Sequence, residues 1–340
     1  MKINKKVLGN LERVYATNIM NIDNEYNYLI ATEGKGSCLR FDENYNKSIV
    51  WDNPGGTMNI IPVPNKEKEF IATQNFFPTF DAKESRIVHA VLQYDKTWKI
   101  TPIMKIPYLH RFDIIDVNGE IYFIGSTLCE GKEFKDDWTK PGKVYIGKLN
   151  DNITEPFDIK PILEGITKNH GFCNGIWNGK RTILVSGSEG VFAIYVPENG
   201  DGEWKTEQLL SHEVSDIATC DIDNDGVMEL ATIEAFHGDK GIIYKKVDGK
   251  LKPIYSYSYE FGHVIWGGKI LNEPAFIIGG RKGKMELMCF KMDKTGNINS
   301  TLIDNTGGPS NISVVNMDDK DVILAANRQV GEIAVYELTK

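Results

Sequence analysis

Histidine is scarce in this chain, with six in 340 residues, and three of the six fall at one register of a repeating pattern. His110, His170 and His263 each stand sixteen residues ahead of the small residue that ends a similar strand, at Ser126, Ser186 and Gly279. His212 opens a fourth segment of the same kind, although Ser215 takes the strict register there, and His237 follows that segment's second strand. Imidazoles that converge on one pocket support two kinds of chemistry. Neutral rings ligate zinc or a transition metal, with a carboxylate such as Glu234 completing the shell. A ring that titrates near neutrality also serves as a general acid or base.

The residue types leave both roles open. His170 and His212 are the candidate bases, His110 and His263 the candidate metal or substrate ligands, and all four together could hold a divalent metal. Arg111 next to His110, with Arg281 and Arg328 in later segments, suits a substrate carboxylate or a developing enolate. Gln74, Glu234 and His237 complete the polar set that substrate would meet. Two long loops bring aromatic rings. Loop 74–85 carries Phe76, Phe77 and Phe80, and loop 127–142 carries Phe134 and Trp138. Aromatic faces over a polar pocket are a common way to hold a sugar ring, and Phe77 and Trp138 are the candidates for that contact.

These residues need a frame. Amphipathic helical periodicity is absent, and short alternating or β-branched runs are divided by Gly, Asn and Asp turns throughout, which predicts an all-β fold. Seven segments share one layout, at a spacing of roughly 45 to 50 residues, which is the mark of a propeller. The expectation is a single seven-bladed β-propeller with blades near 9–50, 51–105, 106–165, 166–210, 211–258, 259–304 and 305–340. The last segment runs out of chain after three strands, so residues 1–8 are expected to supply its fourth. In such a fold the loops entering the inner strands share a face with the loops joining second to third strands. The histidines (except His89, inside a third strand), the arginines and the aromatic loops all fall on that face.

The fifth segment also holds Asp221-Ile-Asp223-Asn-Asp225-Gly226-Val-Met-Glu229. Alternating Asp side chains, a glycine for the sharp turn and a later carboxylate make a hard-oxygen cage suited to Ca²⁺. At nine residues it is too short for an EF-hand, and it joins two strands on the face opposite the histidines. A calcium ion there would be structural.

On this turn the chain resembles the FG-GAP/VCBS repeat propellers, whose blades carry DxDxDGxxE or DxDxDGxxD turns. Asp116-Val-Asn118-Gly119 keeps part of the motif, and Asn178-Gly179-Lys180 and Asn272-Glu273-Pro274 keep little. The positions of His110, Arg111, His170, His212 and His263 also resemble those of propeller-built carbohydrate lyases, such as the aldos-2-ulose dehydratases and rhamnose–glucuronate lyases. That resemblance implies a funnel-centred site with a bound divalent metal and a small saccharide substrate, broken by β-elimination. A metal-assisted glycoside hydrolase or sugar isomerase would use the same pocket, and a glycan- or protein-binding propeller is the non-catalytic alternative.

The bulk numbers narrow the field. Net charge is −8 with no basic stripe, so nucleic acid is not an expected partner. No apolar run approaches membrane-spanning length, and none is expected to meet a membrane. The five cysteines lie in no CxxC pair, and MKINKKVLGNLERVY shows no apolar leader, so a reducing, cytoplasmic location is the expectation.

Overall fold

In the computed structural model, residues 1–77 and 82–340 are described, and they build seven four-stranded antiparallel sheets. Six of the sheets follow chain order, strand beside strand. The seventh runs Lys2–Asn10, Glu332–Thr339, Asp321–Asn327, Asn311–Asn316. This all-β arrangement is that of a seven-bladed β-propeller. The segment expected to complete the last sheet forms the strand Lys2–Asn10, paired from Lys2 opposite Thr339 to Asn10 opposite Glu332. Lys5 fixes it electrostatically, with Nζ 3.2 Å from Asp304 and 2.8 Å from Glu332.

The strand patterns explain the layering. Second strands read as near-continuous apolar runs because both of their faces are covered. Asp321–Asn327 is buried at every position, and Lys180–Gly187 is buried from Thr182 onward. The outer strands Lys2–Asn10 and Lys250–Ser258 meet solvent on one face and alternate accordingly.

The chain divides into two compact units, one of 11–169 with 197–203 and the other of 1–10, 170–196 and 204–340. In the first, consecutive sheets pack face to face. Trp51 meets Phe70 at 6.1 Å between ring centroids, and Ile71, Phe112 and Phe123 share the next core layer. In the second, Leu184 and Trp177 pack with Ile217 and Tyr244, Ile243 with Phe276 and Phe290, and Ile277 with Ile323 and Tyr336. Each layer buries large side chains that a truncation would replace by a cavity, at a cost of about 2–5 kcal/mol apiece.

All five cysteines are free thiols, and Cys173 alone is half-buried rather than buried. Among the described residues no helix is long and apolar enough to cross a membrane.

Candidate functional site

The histidine register corresponds to a backbone feature. The ladder between Glu260–Ile270 and Glu273–Lys282 slips by one residue between Gly262 and Val264, and His263 is the extra residue. His110 is the extra residue of the same slip between Leu109 and Arg111, and Tyr15 of that between Val14 and Ala16. A bulge re-aims a side chain out of the alternating pattern, and here it turns three ring-bearing residues away from the sheet faces. His170 stands at the corresponding place one residue before Gly171–Trp177, its amide donating to the Ser186 carbonyl at 3.0 Å.

Close backbone approach then fixes the ring of His170. A Cβ on Gly171 would lie 2.0 Å from Ser186 Oγ and 2.9 Å from the Asp216 Cα, so only glycine lets this strand sit so near the next sheet. The contact brings the Ser215 carbonyl within 3.0 Å of His170 Nδ1. His263 repeats it, with Nδ1 2.7 Å from the Ser310 carbonyl. A carbonyl only accepts, so each Nδ1 carries the proton and each Nε2 presents a lone pair. Both rings are buried. A backbone carbonyl holding the far nitrogen is the usual support of a metal-ligating imidazole.

His237 completes the group from a different direction. It lies in the turn after Glu229–Glu234 with φ +48°, a conformation uncommon for a residue bearing a Cβ. Gly238 makes the turn possible, since a Cβ there would meet the Glu234 carbonyl oxygen at 2.0 Å. The Gly262 amide donates to the Gly238 carbonyl at 2.8 Å and ties the turn to the strand bearing His263. The His237 ring packs against Phe236, tilted with centroids 4.2 Å apart, and stacks on Phe261 at 4.6 Å. It stacks on His263 at 5.1 Å and meets His170 edge-on at 4.9 Å.

His170, His237 and His263 thus place ligand nitrogens within 4.8 Å of one another. The Nε2 atoms of His170 and His237 are 3.4 Å apart. Two imidazoles on one tetrahedral zinc, with Zn–N bonds near 2.05 Å, hold their nitrogens about 3.3 Å apart. The donor type, the tautomers of His170 and His263 and the 3.4 Å spacing of His170 and His237 fit a transition-metal or zinc ion, with three protein ligands as in catalytic sites that keep a position open.

Charged groups flank the centre. The Arg281 guanidinium lies 4.8 Å, and Lys282 Nζ 5.0 Å, from the centroid of the Phe261 ring that supports His237. His212 does not join the three; its Nε2 sits 3.0 Å from Glu234 Oε2. Glu234 Oε1 accepts from Thr232 at 2.7 Å and Tyr244 at 2.8 Å, so the carboxylate that holds His212 is itself fixed. That contact makes burial and the adjacent carboxylate push the Tyr244 phenol well above its ordinary pKa. His212 remains half exposed.

The other expected site residues have surroundings of their own. His110 belongs to the 11–169 unit, where its Nε2 is 3.4 Å from the Tyr15 hydroxyl and its ring packs edge-on against Phe76. Arg111 is buried beside it over the Tyr15 ring, with Nη1 3.4 Å from the Met58 carbonyl. Of the expected metal set of His110, His170, His212 and His263, the structure brings His170 and His263 together, with His237 as the third member of the group. Gln74 is buried and accepts from Arg86 at 3.0 Å. Phe76 is in the core and Phe77 half-buried, while Phe80 lies outside the described residues. Trp138 packs on the Tyr15–Phe76–Tyr108 cluster under Lys132 Nζ, 3.1 Å from the ring centroid, and Phe134 is exposed. Arg328 sits half-buried in the turn after Asp321–Asn327. His89 is buried against Glu69 at 2.8 Å within a third strand.

No protein-family model and no curated protein sequence matches this chain. Solved structures match it along nearly its whole length. A candidate 6-phosphogluconolactonase from Bacteroides uniformis is 12% identical, with 89% of this chain and 88% of that one covered and a TM-score of 0.59. Saccharomyces cerevisiae Sqt1 is 10% identical, with 100% and 99% covered and a TM-score of 0.56. A candidate gluconolactonase is 8% identical, with 98% and 92% covered and a TM-score of 0.51. The likeness is one of fold.

Proposed function

We propose that this chain is a metal-dependent carbon–oxygen lyase or dehydratase that acts on a small acidic or carbonyl-bearing sugar. The observation that carries the reading is the group of three histidine nitrogens within 4.8 Å, two of them with tautomers set by backbone carbonyls. A divalent ion bound by His170, His237 and His263 would act as a Lewis acid toward a carbonyl or carboxylate oxygen.

The chain's own residues supply the rest. Arg281 and Lys282 give an anionic substrate group a place to dock beside the centre. Glu234 accepts from His212 Nε2, which leaves Nδ1 with the lone pair. That nitrogen is the base that removes the proton beside the carbonyl. The resulting imidazolium is stabilised by Glu234 and returns the proton to the departing β-oxygen. The His212–Glu234 pair is linked to the ligands through the backbone. The Ser215 amide donates to the Ile233 carbonyl at 2.7 Å, and the Ser215 carbonyl holds His170.

Hydrolysis at the same centre is the second reading. Two solved propellers of similar fold are described as a 6-phosphogluconolactonase and a gluconolactonase, names that denote sugar lactones. Product analysis separates the two. Metal-loaded protein is incubated with uronic-acid glycosides, keto-sugars and sugar lactones. Elimination produces a conjugated, ultraviolet-absorbing product, whereas lactone hydrolysis releases an acid without one. Turnover of none of these classes would remove the reading.

A further inference from the structure

The DxDxDGxxE turn between Asp216–Cys220 and Glu229–Glu234 has the sequence of a calcium site, and Asp221, Asp223 and Asp225 bring carboxylate oxygens within 4.8 Å of one another. Lys245, on the strand Lys240–Val247, reaches back into it. Its ammonium contacts Asp223, lies 2.6 Å from Asp225 Oδ2, and is 3.5 Å from Glu229 Oε1. The remaining carboxylate oxygens are directed at backbone amides. Asp221 accepts from Asp225 at 3.0 Å and Gly226 at 2.9 Å, Asp225 Oδ1 from Val227 at 2.8 Å, and Asp223 Oδ1 from Asp225 at 3.2 Å. Glu229 Oε2 takes the Ile222 amide at 3.0 Å.

Seven of the motif's eight carboxylate oxygens therefore accept from an amide or from Lys245, and the eighth, the buried Glu229 Oε1, lies 3.5 Å from the same ammonium without a hydrogen bond. Calcium needs six to eight oxygens at about 2.3–2.6 Å around a shared centre. An ammonium on a tether needs only the two or three that point at it, and it carries no cost of capture from solution. The electrostatics agree with that occupant. Burial opposes the Lys245 charge, yet its bonds to Asp223 and Asp225 and the Glu229 charge raise its pKa above the ordinary lysine value. The same bond holds Asp225 below the usual carboxylate range.

We propose that the Lys245 ammonium is the resident cation of this turn, so that the blade closes on a covalently attached charge and takes no calcium there. The fit of this turn to the FG-GAP/VCBS pattern is then one of backbone shape, with the metal replaced by a side chain from the third strand. The ammonium also ties that strand to the turn, which a free ion bound by the turn alone would not.

The test compares the full-length protein with Lys245→Met and Asp223→Asn. Metal-stripped protein is titrated with Ca²⁺ while Tm is followed, and with Tb³⁺ while aromatic-sensitised emission is followed. Wild type should show no Ca²⁺-dependent rise in Tm and no emission that Asp223→Asn abolishes. Lys245→Met should melt lower than wild type and regain stability progressively as Ca²⁺ is added, as linkage to a newly opened site requires. If Lys245→Met does not fold, the wild-type titrations decide alone. A Ca²⁺-dependent Tm rise in wild type that Asp223→Asn removes would overturn the proposal, as would a Lys245→Met protein as stable as wild type without calcium.

Discussion

His170, one residue ahead of the strand Gly171–Trp177, and His237, in the turn after Glu229–Glu234 of the next sheet, bring their Nε2 atoms to 3.4 Å, the spacing of two ligands on one metal ion. His170 has its other nitrogen on a carbonyl, and His237 has its ring packed against two phenylalanines. Changing that packing without touching the ligands should therefore weaken metal binding. Phe261→Ala is expected to lower metal affinity about 10- to 100-fold, the range for lost ligand support, in a competition titration against a chromophoric chelator. Unchanged affinity would mean that the stacked rings do not orient His237.

Gly171 sets the position of His170, and even one added methyl has no room. Gly171→Ala should cost about 1–3 kcal/mol by overpacking, read in urea denaturation, and should lower metal content in the folded fraction. A stable variant with full metal content would show that the strand can move away without displacing the ligand.

The His212–Glu234 pair predicts a separation of chemistry from binding. His212→Ala should reduce kcat about 10²- to 10⁴-fold, the worth of a general base, with metal stoichiometry unaltered. Glu234→Gln should fall in the same direction and by less. A His212→Ala enzyme that turns over normally would return the proton-transfer role to another group.

Arg281 and Lys282 lie on the support ring rather than in the ligand set. Arg281→Ala is expected to raise KM for a carboxylate-bearing substrate while leaving KM for a neutral analogue near wild type. Equal effects on both would indicate a structural rather than an anion-docking role.

His89 gives the expected pH dependence of stability. Burial lowers its pKa below the ordinary 6.5, against the hydrogen bond and charge of Glu69. The folded state therefore binds this proton less readily than the unfolded state. Its contribution is complete above the unfolded pKa and is lost as pH falls below it. His89→Gln keeps a donor for Glu69 without the titration, so its Tm should fall less than that of wild type between neutral and mildly acidic buffer.

Much of the fold was legible because a propeller repeats its signals. Apolar second strands such as Thr182–Val185, turn residues at regular spacing, and a C-terminal segment short of one strand all reflect burial or pairing that the sequence must encode locally. The site was legible only in part. His170 and His263 follow the register because each sits at the entrance to an inner strand, and the bulge that aims His263 recurs at His110. The choice of His237 over His212 depends on a left-handed turn and on the hydrogen bond from Gly262 to Gly238, which no spacing records. Gly238 directly after His237 was the one local signal. The contact of Lys245 with the Asp-rich turn leaves no trace within the motif, because the lysine comes from the neighbouring strand, sixteen residues beyond Glu229.

The central claim is that His170, His237 and His263 bind one metal ion, and zinc titration of the metal-stripped protein by calorimetry tests it most directly. Wild type should take up one equivalent with sub-micromolar affinity, and His237→Ala should lose it while His110→Ala and His212→Ala keep it. A wild-type protein that binds no zinc or other divalent transition ion, or a His237→Ala protein that binds it undiminished, would contradict the account.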